Sequence, residues 1–123
     1  MPLTVLHSFV HASDEKVTSL TLSLAEDSLI ATLSDKINKL RVKLSMDEIA
    51  GLGEAVSDNK SWNAFHTFKT QEKETRTRIS YSPTFFNIDS DGKKIAIKLN
   101  ENERAAFEKT LNFAFSKLIE KKF

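Results

Sequence analysis

An α+β fold, two antiparallel four-stranded sheets each followed by a helix, is predicted from three features of this sequence. A strand-cap-helix stretch occurs twice, as KLRVKLSMDEIAGL from Lys39 to Leu52 and as KIAIKLNENERAAF from Lys94 to Phe107. Upstream of each copy lies a similar short segment, Leu6-His7-Ser8-Phe9 in the first and Phe65-His66-Thr67-Phe68 in the second. The step from Leu6 to Phe65 is slightly longer than the step from Lys39 to Lys94. The second copy is therefore the shorter one in its middle hairpin, where a length change is tolerated. The chain reads as a duplicated ββββα unit, with pseudo-repeats at about 1–58 and 61–123. At 123 residues with 40% hydrophobic content there is material for one core, so the units are expected to share it as a single domain over 1–123.

In the first unit, Thr4 to His11 is rich in β-branched and aromatic residues and reads as a strand, with Ala12 to Lys16 as the turn. Leu20, Leu22 and Leu24 alternate with Ser19, Thr21 and Ser23, a period of two that puts hydroxyls on the outer face. Ala25 to Asp27 turns the chain, Leu29 to Leu33 returns it, and Ser34 to Lys36 leads into the Lys39 strand. Ser45 answered by Glu48 is the signature of a capped helix start, and Ile49, Leu52 and Val56 give that helix, Met46 to about Ser57, its apolar stripe. Gly51 and Gly53 inside it cost roughly 1 kcal/mol each relative to alanine, which points to close packing at that turn. Asp58 to Ser61 is a short linker.

The second unit repeats the scheme. Trp62 to Thr70 is a strand followed by a charged turn, and from Thr75 to Ser82 the residues Thr77, Ile79 and Tyr81 lie opposite Arg76, Arg78 and Ser80. Pro83 interrupts the ladder and marks a bend or an edge. Phe85 to Ile88 is the third strand, and Asp89-Ser90-Asp91-Gly92 is a hairpin turn whose glycine takes a positive φ. That turn lacks the third oxygen ligand and the distal glutamate of a calcium loop. After the Lys94 strand, Asn100 with Glu103 repeats the cap. The last helix, Glu101 to about Lys121, carries Phe107, Leu111, Phe113, Ala114, Phe115, Leu118 and Ile119, more apolar surface than one small sheet covers.

Composition excludes several classes. There is no cysteine, so disulfides and thiolate chemistry are absent, and no run is long enough for a membrane helix. The N-terminus lacks a secretory pattern, and the expected setting is cytoplasmic, with nucleoid or nucleus as variants. His7 and His11, four apart on a strand, are separated by about 13 Å at Cα, too far for joint ligation of one metal, and His66 has no carboxylate at ligand spacing. With no Gly-rich phosphate loop and no Ser nucleophile motif, neither an enzyme nor a cofactor is expected.

Charge sorts by strand face. Opposite the apolar faces lie Lys39, Arg41 and Lys43, then Arg76 and Arg78, then Lys94 and Lys98, while acids gather in turns and helices. A net charge of +1 is thus compatible with a basic sheet. His7 and Phe9, with Trp62, His66 and Phe68, are expected to interleave flat side chains with these cations on an exposed face. Cations that neutralise phosphates and rings that stack on unpaired bases are what single-stranded nucleic acid requires.

The KKIAIKLNENERAAFEKTL segment, with the strands before it, resembles the strand, capped Leu-Asn junction and amphipathic helix of the positive-cofactor-four type of transcriptional coactivator. The doubled arrangement resembles the Whirly fold, although the Lys-Gly-Lys-Ala-Ala-Leu motif of plant Whirly proteins is absent. The resemblance implies binding of single-stranded DNA, in preference to RNA, across antiparallel sheets with little sequence preference. It also implies a homo-oligomer, dimer or tetramer, built through the helices. The alternative from another class is a protein-interaction or assembly module that binds no nucleic acid.

Overall fold

The computed structural model describes residues 4–12, 17–69, 71–72, 74–83, 85–90 and 92–122, except for the side chains of Phe68, Lys69, Lys121 and Lys122. Strands β1 (Thr4–Ala12), β2 (Val17–Leu24), β3 (Leu29–Ser34) and β4 (Lys39–Leu44) precede helix α1 (Met46–Asp58). Strands β5 (Trp62–Lys69), β6 (Glu74–Ser82), β7 (Phe85–Ser90) and β8 (Lys93–Lys98) precede helix α2 (Glu101–Lys122). Each unit forms its own antiparallel sheet in sequence order, β1-β2-β3-β4 and β5-β6-β7-β8. The expected architecture is the observed one. Several element ends shift by a residue, with Ala12, Ser34 and Asp58 closing β1, β3 and α1, and at the β7–β8 hairpin Asp89 and Ser90 belong to β7, with Gly92 at φ 79°.

Ladder register locates the length changes between the units. Val42 and Ile97, Ala31 and Phe86, and His7 and Trp62 hold equivalent places and share one spacing along the chain, whereas Leu22 and Tyr81, also equivalent, are spaced more widely. The middle hairpin of the second unit is shorter, as expected, and its first hairpin is longer by the same amount. The match of His7 with His66 is corrected accordingly. His11, opposite buried Thr18, is the counterpart of His66, opposite buried Thr77.

Side chains pointing inward from both sheets and both helices form one apolar cluster. Phe107 of α2 sits at its centre, 6.2 Å from Phe9, 6.3 Å from Tyr81 and 5.5 Å from Phe86 by ring centroids, close enough for edge and tilted ring contacts in addition to burial. The helices pack along one another, α1 also touching β5 and α2 touching β1. Gly51 permits this: a Cβ there would lie 2.8 Å from Trp62 Nε1, so the glycine seats an indole from β5. Gly53 faces Leu111 and Asn112 of α2 at ordinary contact distance.

Both helix starts carry the expected caps. Glu48 N–H donates to Ser45 Oγ at 3.3 Å and Ser45 N–H to Glu48 Oε1 at 3.0 Å. Glu103 N–H donates to Asn100 Oδ1 at 2.8 Å and Asn100 N–H to Glu103 Oε1 at 3.0 Å. Helix α1 ends on Asn59 in the left-handed region at φ 58°, where the chain turns back on the last carbonyls. No base stands in its last turn; Arg104 of α2 supplies one, donating to Val56 O at 3.0 Å.

Candidate nucleic-acid interface

The outer face of the second sheet is built by register. Ile79 and Tyr81 point into the core, so on the paired strand Trp62, Ala64 and His66 face the same way and Asn63, Phe65 and Thr67 face out. Phe65 lies directly opposite Arg78, Arg78 opposite Asp89, and Asp89 opposite Lys94, one row of outward side chains across all four strands. The neighbouring row is Asn63, Ser80, Asn87 and Ala96, and beyond it come Ser82, Phe85 and Lys98.

Two exposed rings mark this face. Phe65 is 56% exposed, with the Arg76 and Arg78 guanidinium carbons 5.8 Å and 5.9 Å from its centroid. Phe85 is 42% exposed, with Lys98 Nζ at 5.7 Å. Cations at that range are held by the ring quadrupole at about 0.5–1 kcal/mol in exposed sites, which keeps positive charge beside an apolar platform. Between the rings a polar recess of about 300 Å³ is lined by Asn63, Arg78, Ser80, Asn87, Asp89 and Lys94 among others.

The seven cations named from the sequence, Lys39, Arg41, Lys43, Arg76, Arg78, Lys94 and Lys98, are all exposed. They fall into two groups. Arg76, Arg78, Lys94 and Lys98 share the face with Phe65 and Phe85, whereas Lys39, Arg41 and Lys43 lie on β4, an edge of the first sheet, opposite Ser34, Thr32 and Ile30. Lys43 is 3.4 Å from Asp27. Attraction to Lys43, with hydrogen bonds from Ser28 and Lys43, holds the Asp27 carboxyl below its usual range.

The aromatic and imidazole side chains expected on this face are elsewhere. Phe9 is 3% exposed, in the core beside Phe107. Trp62 packs on the core over Gly51. His7 is exposed but stands on the inward side of β1, edge-on to Phe9 at 4.5 Å. His66 is turned to α1, where its Nε2–H donates to Glu48 Oε2 at 2.7 Å. His11 does the same for α2, donating to Glu103 Oε2 at 2.8 Å. A carboxylate only accepts, so both imidazoles carry the proton on Nε2. Partial burial raises each glutamate's pKa, but the cap N–H and the histidine outweigh it and leave both below the usual value. The side chain of Phe68 lies outside the described residues.

Sequence reasoning missed Phe65 and Phe85, and it missed Asp89 as an outward residue. The signal was parity: once Ile79 and Tyr81 are taken as inward, Phe65 and not Phe68 falls opposite an arginine.

Among the described residues, no three His, Asp or Glu side chains could hold a metal ion, and no helix is long and apolar enough to cross a membrane. No protein-family model and no curated protein matches the chain. Among solved structures, it is similar over 98% of its length to that of the plant transcriptional regulator PBF-2. The TM-score is 0.69 at 16% identity, and the match covers 85% of that chain. This is a likeness of fold, and it supports the Whirly-like arrangement of two four-stranded sheets, each followed by a helix.

Proposed function

We propose that this protein binds single-stranded nucleic acid, DNA in preference to RNA, through the outer face of the second sheet. The observation that carries the reading is Phe65 held between Arg76 and Arg78, with Phe85 under Lys98 on the same exposed face. An exposed ring on a sheet offers every base a stacking surface worth about 1–3 kcal/mol. The cations beside it take the phosphates. Lys39, Arg41 and Lys43 on β4 extend the phosphate track without a ring, because the described outward positions of the first sheet carry hydroxyls and aliphatic side chains. Stacking is tolerant of sequence, so most of the contact discriminates little among bases. The similarity of fold to a plant transcriptional regulator supports a role on nucleic acid.

Fluorescence anisotropy with labelled oligonucleotides at two salt concentrations tests this. Neutralising four phosphates on a single strand at the second sheet gives a slope of log K against log salt of about −3, and engagement of Lys39, Arg41 and Lys43 as well steepens it to about −5. Single strands are expected to bind more tightly than duplexes of the same length. No binding to a single strand at low salt overturns the reading and favours an interaction module.

A homo-oligomer built through the helices belongs to the same proposal. Phe107 and Leu118 are consumed by the chain's own core, but Phe113 and Ile119 of α2 are both exposed.

A further inference from the structure

We infer that the recess at the centre of the second sheet reads the Watson–Crick edge of one unpaired guanine. Asp89 accepts from the base's N1–H and N2 amine, and Lys94 donates to O6. The inference rests on the single-strand reading above and adds a specificity-determining position to it.

The starting observation is an acid where an acid is unfavourable. Within its row Asp89 stands between two cations, directly opposite Arg78 on one side and Lys94 on the other. Yet among the described residues its carboxylate makes neither a hydrogen bond nor an ion pair. Arg78 is drawn over the Phe65 ring instead. A free carboxylate there repels phosphate, so it weakens backbone binding unless it accepts from a base.

The recess is shaped for acceptance. Asn87 Nδ2 donates to Ser80 Oγ at 3.3 Å, which turns the Asn87 amide oxygen into a second available acceptor beside Asp89. Of the four bases, guanine alone presents two adjacent donors, N1–H and the N2 amine, and a carboxylate accepts two parallel N–H groups as it does from an arginine fork. Guanine O6 lies next to N1. Directly opposite cross-strand residues have Cβ atoms about 4.5–5.5 Å apart, which sets the Lys94 ammonium within reach of that oxygen. Cytosine and adenine offer one amine beside a ring acceptor, and thymine and uracil one imino group between two acceptors. Each of these sets an acceptor against the acidic recess.

Placement on the strand agrees. Phe65 is two strands from Asp89, about 10 Å away, and Phe85 is four residues from it along β7, about 13 Å. Neighbouring bases can therefore stack on the two rings while the base between them drops edge-first into the recess. Unpaired bases are commonly read on this edge.

The test compares a labelled oligothymidylate with the same strand carrying one central guanine, adenine, cytosine or inosine. It is run on the full chain and on Asp89→Asn. The guanine strand is expected to bind about tenfold more tightly than oligothymidylate. Inosine, which lacks the N2 amine, should lose most of that gain. Asp89→Asn should abolish it, so that the guanine, inosine and oligothymidylate strands bind alike. An oligouridylate pair forms the ribose arm: a guanine gain in either backbone supports the inference, and the larger gain names the strand. Equal binding of all strands by the parent chain, or a preference that survives in Asp89→Asn, overturns the guanine reading while leaving single-strand binding in place. Failure to bind any strand removes both.

Discussion

His66 Nε2 lies 2.7 Å from Glu48 Oε2, and at the equivalent place in the first unit His11 Nε2 lies 2.8 Å from Glu103 Oε2. Each unit's first strand thereby reaches the helix start of the other unit. Glu48 uses both oxygens, Oε1 for the Ser45 N–H of its own cap and Oε2 for the imidazole. One side chain thus fixes the local helix start and the docking of the second sheet. A hydrogen bond to a charged group contributes about 1.5–3 kcal/mol, so His66→Ala is expected to lower stability by that order in urea unfolding. His11→Ala should cost less, because that imidazole is more exposed. Oligonucleotide affinity should be unchanged in both variants, since neither imidazole faces the binding surface.

The same carboxylates set the acid limit of the fold. Glu48 and Glu103 titrate below their ordinary value of 4.5 when folded. A depressed folded pKa means that the unfolded chain binds protons first as the pH falls. The stabilisation is therefore complete above about pH 4.5 and is lost on acidification through the lower, folded values. Unfolding free energy measured in this window should fall on the acid side. Glu48→Gln keeps a capping-box side chain at that position but does not titrate, and it should flatten part of the slope. An unchanged acid limb would show that Glu48 does not contribute to it.

The two glycines of α1 should respond in opposite directions. Alanine replaces glycine inside a helix with a gain of about 0.8–1 kcal/mol where space allows. At Gly53 a Cβ meets only Asn112 Oδ1 at 3.7 Å and Leu111 Cβ at 3.9 Å, so Gly53→Ala should stabilise the fold. At Gly51 it meets the Trp62 indole at 2.8 Å. Gly51→Ala should therefore displace the indole, lower the melting temperature and change tryptophan fluorescence, which is an unambiguous signal in a chain with one tryptophan.

How far the sequence could be read depends on the range of the physical signal. The alternation of Leu20, Leu22 and Leu24 and the Ser45/Glu48 and Asn100/Glu103 caps are local, and each identified its element. The cations were legible for the same reason: Arg76 and Arg78 alternate with buried Thr77 and Ile79 within one strand. The rings were not. Whether Phe65 or Trp62 faces outward depends on pairing with β6 across a hairpin, and a one-residue slip inverts every side chain. His7 lines up with His66 by the likeness of their four-residue segments, but the first hairpins of the two units differ in length, a difference that only the ladder reveals. Glu48 and His66 belong to different units, with most of α1 and the linker between them, and no local pattern joins them.

Helix-mediated assembly predicts a specific loss. Phe113 is exposed on α2 with Lys117 Nζ 5.6 Å from its ring. If α2 forms the contact between copies, Phe113→Ser should leave the fold intact and shift the mass measured by light scattering towards the monomer. A monomeric parent chain at micromolar concentration contradicts assembly of this kind.

Phe65 and Phe9 separate binding from folding in one comparison. Phe65 is 56% exposed and makes its ring contacts with Arg76 and Arg78, whereas Phe9 is 3% exposed and packs on Phe107. Removing an exposed ring leaves no cavity, so Phe65→Ala should keep the parent melting temperature. Its single-strand affinity should fall by about 1–3 kcal/mol, the range measured for base-aromatic stacking. Truncating a buried phenylalanine deletes packed volume, and Phe9→Ala should cost about 3–5 kcal/mol of stability. Wherever that variant remains folded, it should bind oligonucleotides nearly as well as the parent chain. Melting temperature and anisotropy measured on both variants make the comparison complete. Equal affinity in Phe65→Ala and the parent would take the ring out of the interface and leave the cations alone to account for binding.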